Sequence, residues 1–390
     1  MGNTSWNANI ILLYITSFLK NAQFFGAISI PFLLDKLQLD YFRIAMLELF
    51  FMACIFVLEM PTGVVADKFG RKYSIISALL LSSLSIGLFG LADTYWVLFI
   101  AEFLGAAGVA FLSGADQALL YDTLISAGRK KDGKHVLAKY DAFGTLGIII
   151  AMPLGSFIVG HLEYPKGLSV AFYLTALAYA LAILFIACIN EPKRKSINED
   201  WLQLGLKGIK GVWTNSKMRR LALNSSLISA STFFILWFYQ PLSGFAGVPV
   251  AYYGFVAAGF NGVALLLLLN MRSIEKMWNM ASLLWWTAII AGLGLLVLAF
   301  VHQMFVVLVA ICGVAVARFL RKPVLNDYIN QRIKSVRRAT TLSAVSMIER
   351  ISIGAGYILV ALLTDISLSL ILVVLGVLTM IFAVMTRIRH

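Results

Sequence analysis

Cysteine is nearly absent, with 3 residues in 390, and proline is sparse at 8. Cys54, Cys188 and Cys312 lie far apart inside apolar runs, so they form neither a disulfide framework nor the spacing of a metal knuckle, and they read as buried, inert thiols. Charge is scarce too: 13% of residues are charged, about half the share usual in a soluble domain. The same numbers exclude intrinsic disorder and collagen-like repeats. There is no P-loop pattern, no H-E-x-x-H and no G-x-S-x-G. ATP-driven pumping, metalloprotease and serine-hydrolase chemistry therefore lack their residues, and no catalytic residue, cofactor or metal site is expected.

What is present is apolar length. Hydrophobic residues make up 60% of the chain, more than the core of one soluble domain can bury. A helix crossing about 30 Å of hydrocarbon needs about 20 mostly apolar residues, and twelve use about 240. Twelve segments qualify: 10–33, 42–66, 73–92, 95–118, 140–161, 167–189, 219–241, 251–271, 280–300, 303–325, 340–363 and 368–386. The first is too long and too polar (Thr16, Ser17, Lys20, Asn21, Gln23) for a cleaved signal peptide and is expected to stay in the mature protein.

The net charge of +13 suggests an anionic partner only if the cations are clustered, and they are not. With the N-terminus inside, 24 of the 32 basic residues fall in cytoplasmic segments, against Lys36 and Lys166 outside. The positive-inside rule then places both termini in the cytoplasm of an inner-membrane, multi-pass protein. Six cations remain in or at the edges of spans: Lys20, Arg43, Arg318, Arg321, Lys322 and Arg350.

Composition changes abruptly between spans 6 and 7, which divides the chain into a six-span half at 1–190, a polar linker at 191–217 and a second half at 218–390. Inside the linker, Trp201, Leu202, Leu204, Leu206, Ile209, Val212 and Trp213 alternate with Lys207 and Lys210. That pattern suggests an amphipathic helix on the anionic inner leaflet, with a calmodulin-like or nucleic-acid partner as the sharper alternative. Overall no nucleic acid is expected, and the chain is expected to be monomeric. A faint repeat links Ala118 to Asp122 with Pro323 to Asp327, as parallel repeats about an axis along the membrane normal would produce.

After span 2 the chain reads Gly63-Val64-Val65-Ala66-Asp67-Lys68-Phe69-Gly70-Arg71-Lys72. This resembles the loop 2-3 signature of the major facilitator superfamily, G-x-x-x-D-[RK]-x-G-[RK]-[RK], with every defined position filled. Gly63 permits close helix approach, Gly70 a tight turn, and Asp67 and Arg71 charge-assisted bonds to helix ends and to each other. The resemblance implies an all-α fold of twelve transmembrane helices in two pseudo-symmetric six-helix halves. It also implies that this segment is a conformational latch assisted by an acidic residue of span 4, with Asp122 the first candidate and Asp116 the second. Other signatures of the family are degraded. Glu102 stands close to where proton-linked members carry an intramembrane Arg, and the antiporter pattern of span 5 is reduced to Gly144, Gly147, Met152-Pro153 and Gly155.

An ionisable side chain in hydrocarbon normally faces a cavity or a partner. Glu48, Glu59, Glu102, Asp116 and Glu349 are the proton-coupling candidates, with an outer vestibule that leaves Glu48 and Glu102 simply ionised as the plainer reading. Arg318 or Arg321 of span 10 meets Glu349 of span 11 at similar depth, either as a static pair or as a proton- and substrate-responsive one. Lys20, Asn21 and Gln23 form a polar stripe on span 1, Trp237 and Gln240 lie on a similar stripe of span 7, and span 8 adds Asn261. By the resemblance, spans 1, 4, 7 and 10 line the cavity. If Lys20 and Arg318 face it, an anionic or zwitterionic substrate is favoured; if the carboxylates dominate, a cationic amphiphile is.

The expectation is a non-enzymatic secondary transporter working by alternating access, proton-coupled, exporting small amphipathic molecules, with membrane lipids around it. Organic-anion or metabolite uptake is the alternative. A lipid scramblase or a non-transporting membrane sensor is the alternative of a different class.

Overall fold

The computed structural model describes residues 3–192, 213–214, 216–332, 335–363 and 367–387. Among these there is no strand, and twelve helical segments are long and apolar enough to cross a membrane. Spans 1 to 6 are Trp6–Ala27, Tyr41–Glu59, Arg71–Leu91, Tyr95–Ser126, His135–Gly160 and Leu168–Ala187. Spans 7 to 12 are Met218–Phe245, Val250–Leu269, Met280–Phe300, Met304–Leu325, Val345–Leu363 and Leu368–Met385. All twelve expected segments are helices, and residues such as Ile11, Val57, Leu184, Leu266 and Val384 stand exposed along them, as lipid-facing side chains do. Linker residues 193–212, and with them the expected amphipathic helix, lie outside the described residues.

Three spans depart from the unbroken helices that hydropathy predicts. In span 1 the helix Asn3–Lys20 stops at Lys20, and a 3-10 turn, Phe24–Ala27, follows. The Asn21 side chain donates to the Ser17 carbonyl at 2.8 Å, the local competition with the backbone ladder by which Asn ends helices. Span 4 divides into Tyr95–Leu112 and Ala115–Ser126 around Gly114, whose φ of 72° lies in the left-handed region. Span 7 divides into Ser216–Phe233 and Ile235–Phe245 at Phe234.

The chain groups into two compact units: Met1–Asp40, Leu47–Asn198 and Val250–Ala258 form the first, and Tyr41–Met46, Glu199–Pro249 and Gly259–His390 the second. The first is centred on Leu13, Ile75, Leu79, Leu119, Leu120, Leu124, Val136 and Ile186, drawn from spans 1, 3, 4, 5 and 6. Span 5 lies directly against span 1, because a Cβ on Gly155 would fall on the Phe24 carbonyl and one on Gly147 on that of Phe18. At the far end of this unit Tyr164 donates to Asp35. Burial and that carboxylate push its phenol above the ordinary value. The second unit packs Leu221, Leu284, Val324 and Leu325 together, and Ile228 with Ala288 and Ala383. Spans 9 and 12 meet through Gly292 and Gly376, and a Cβ on either would lie 3.1–3.2 Å from the carbonyl of the other.

Candidate functional site

The helix breaks of spans 1 and 4 meet at a charge network. Lys20, last residue of its helix, ion-pairs with Oδ2 of Asp116, second residue of the helix that restarts after Gly114. The Tyr140 hydroxyl of span 5 donates to the same oxygen at 2.7 Å, and the Lys20 ammonium sits 5.1 Å from the centre of the Tyr140 ring. The other oxygen, Oδ1, accepts the Gln117 amide at 2.7 Å, as a carboxylate in the first turn of a helix does. Ser17 ties the framework together by donating to the Tyr140 carbonyl at 2.8 Å. Sequence reasoning named Lys20 and Asp116 for different duties, and the structure makes them one site. It did not find Tyr140, nor Asp141 beside it, which is exposed and within electrostatic range of both Asp116 and Lys20.

Three further carboxylates lie on span 4 or against it. Glu102 is buried at 6% exposure, with the half-buried Glu48 as its charged neighbour. Glu59 accepts from the Ser113 hydroxyl at 3.0 Å, directly at the break. Asn21 is spent on the turn after Lys20. Gln23, next along that turn, hydrogen-bonds Tyr179 of span 6.

The signature segment is helical almost throughout: the helix Tyr41–Phe69 runs through it, Pro61 included, and only Gly70 separates it from the helix of span 3. Gly70 has φ 107°, and a Cβ there would lie 2.6 Å from the Glu191 carboxylate. That carboxylate accepts the Arg71 amide at 2.6 Å, capping span 3 from 120 residues downstream. The Arg71 guanidinium ion-pairs with Asp122, the first-choice partner in span 4. The side chains of Gly63 and Asp67 lie outside the described residues. Glu191 was missed by sequence reasoning, its one signal being a Glu-Pro pair placed directly after span 6.

In the second unit the expected meeting of a span 10 arginine with Glu349 is replaced by neutral partners. Arg318 donates to the Ser229 carbonyl at 2.5 Å, beside the break of span 7, and stands over the Phe233 ring at 5.1 Å. Glu349 is its charged neighbour, but among the described residues no ion pair joins them. Arg321 is 1% exposed. It donates to Asn224 at 2.5 Å, to Thr287 at 3.2 Å and to the Leu284 carbonyl, so spans 7, 9 and 10 are pinned together. Trp237 packs edge-on against Tyr357 at 6.3 Å, Gln240 is buried at 1% exposure, and Asn261 is half-buried. The reason for the change is local. Each arginine reaches acceptors one helix away, so neither needs to cross to span 11.

A family profile described as Major Facilitator Superfamily matches residues 10–357. Multidrug resistance protein 1 of Bacillus subtilis (strain 168) is 31% identical over 156 residues, 39% of this chain and 38% of that protein. The uncharacterized MFS-type transporter YxaM of the same organism is 22% identical over 259 residues, 65% of this chain and 63% of its own length. The matches thus span less than two thirds of these relatives. Among solved structures, a point mutant of the nucleoside transporter NupG superposes with a TM-score of 0.83 at 14% identity, over 97% of this chain and 98% of that one. A bacterial homolog of the human lysosomal transporter Spinster gives 0.78 at 14% identity, over 99% and 96%. At such identities the likeness is one of fold.

Proposed function

The chain belongs to the major facilitator superfamily, a family of multi-pass membrane transporters, and from that premise we propose that it exports small amphipathic molecules across the cytoplasmic membrane in exchange for protons. The observation that carries the reading is the Lys20–Asp116–Tyr140 network at two interrupted spans. Charges inside hydrocarbon are costly, and interrupted helices in transporters cluster where substrate and coupling ion bind. The 31% identity with a protein named for multidrug resistance supports efflux as the direction.

In this reading both termini are cytoplasmic, and the halves 1–190 and 218–390, joined by 191–217, alternate about a midplane site. Glu102 and Glu48 are the proton carriers, since a proton taken by one removes the repulsion between them. The Arg71–Asp122 pair, with the Glu191 cap, serves as the latch that holds one conformational state, and it does not touch substrate.

Purified protein in sealed vesicles tests this. An imposed pH gradient should drive saturable flux of a fluorescent amphipathic cation, and Glu102→Gln should lower gradient-driven flux at least about tenfold while leaving gradient-independent exchange in place. Gradient-independent lipid flipping with no solute flux would instead identify a scramblase.

A further inference from the structure

We infer that Lys20 is a tethered competitor of the substrate: its ammonium occupies the place on Asp116 that an organic cation takes during transport. The inference rests on the transporter reading and narrows it to a substrate class.

The Asp116 carboxylate is a furnished cation site. Its Oδ1 is held by the Gln117 amide and its Oδ2 by the Tyr140 hydroxyl, each at 2.7 Å, so it stays in place whatever binds it. The Tyr140 ring, 5.1 Å from the ammonium, adds a π-face to the charge. A full negative charge beside an aromatic face suits a quaternary or delocalised cation as well as an amine.

The present occupant is detachable. Lys20 ends its helix, where the regular ladder gives way to the shorter turn bonds of Asn21 to Phe18 and Ala22 to Leu19, so mobility is sought in its side chain and not in its backbone. Its four-carbon stem lets the ammonium swing aside without moving the helix. Asp116, by contrast, is fixed within the first turn of Ala115–Ser126.

The place is also reachable. Lys20 and Asp116 keep 13% and 12% of their side-chain surface exposed, and Ser113, Gly114, Gln117 and Asp141 stand exposed around them. Gln117 and Asp141 facing lipid tails would be prohibitively unfavourable, which makes this a wet face. Among the described residues, the groups presented to Asp116 are Lys20 from span 1 and Tyr140 and Asp141 from span 5. Two carboxylates against one ammonium leave a net negative charge, which selects a cation over an anion.

A tethered occupant lowers apparent affinity by the fraction of time it holds the site, so removing it must tighten binding. Binding of radiolabelled tetraphenylphosphonium to the purified full-length protein reads this. Lys20→Gln should bind about tenfold more tightly than the wild type, and Asp116→Asn should lose binding. Unchanged or weaker binding by Lys20→Gln overturns the inference, as does absence of binding by both proteins. Wild-type flux in vesicles separates the two readings: flux with no gain in Lys20→Gln sinks the competitor alone, whereas no flux of any solute sinks the transporter reading. Should Lys20→Gln fail to fold, the wild type suffices. Tetraphenylphosphonium should then increase modification of Lys20 by a water-soluble amine reagent, with exposed Lys166 as an unchanged control; no increase, or protection, overturns the inference.

Discussion

Among the described residues, Arg321 places its positive charge, at 1% exposure, against neutral oxygens, those of a carbonyl, a hydroxyl and an amide. Its Nε has no partner among the described residues, so the charge is held by hydrogen bonding from one edge of the guanidinium. Such a residue holds helices rather than a ligand. Arg321→Ala leaves the Asn224 oxygen and the Leu284 carbonyl short of a donor and opens a void between spans 7, 9 and 10. It should lower unfolding stability by about 3 kcal/mol, measured by denaturant titration in mixed micelles. The fraction that remains folded should bind substrate as the wild type does. Substitution of Lys20 should act oppositely, altering affinity more than stability. From sequence the two look alike, as cations within apolar runs. What distinguishes them is whether a neighbouring span offers neutral acceptors at the same depth, as Asn224 and Thr287 do for Arg321, and that is a three-dimensional fact.

At the scale of elements, twelve spans were legible because hydrophobic length is a one-dimensional signal, and every expected segment is a helix. The interruptions were not. Asn21 and Gln23 read as a polar stripe on a continuous helix, yet Asn21 uses its side chain to end that helix. Ser113-Gly114 reads as two small residues, and only the left-handed φ of Gly114 marks a break. The joining of the two breaks by Lys20 and Asp116, 96 residues apart, has no sequence signal beyond the presence of both charges. Glycine is the counterpart of this. Gly144, Gly147 and Gly155 were read as remnants of a family pattern, and each places span 5 against span 1, where a Cβ would strike Asn21, Phe18 or Phe24. Gly155→Val should therefore force the two spans apart and cut the yield of folded, monodisperse protein several-fold by size-exclusion chromatography. Gly259→Val, with nothing within 4 Å of a Cβ at that position, should not.

The whole molecule carries its cations as a topological label, and the proposed orientation follows from their placement. In a cysteine-free background, with Cys54, Cys188 and Cys312 replaced, a membrane-impermeant maleimide added outside intact cells should modify Lys166→Cys and spare Lys131→Cys. Both positions are exposed, so labelling reports sidedness and not burial. The reverse pattern would overturn the proposed orientation.

The cap that Glu191 places on Arg71 also sets an order in time. At roughly 5–20 residues per second of synthesis, the helix that starts at Arg71 waits on the order of ten seconds for the carboxylate that completes its first turn. Asn9 waits longer still for its two bonds with Asn190, 181 residues away. The third helix to enter the bilayer is thus capped from just beyond span 6, and the first is tied to the same place through a side chain of its second turn. Nascent chains shorter than this point carry an uncapped start to the helix of span 3 until span 6 has emerged.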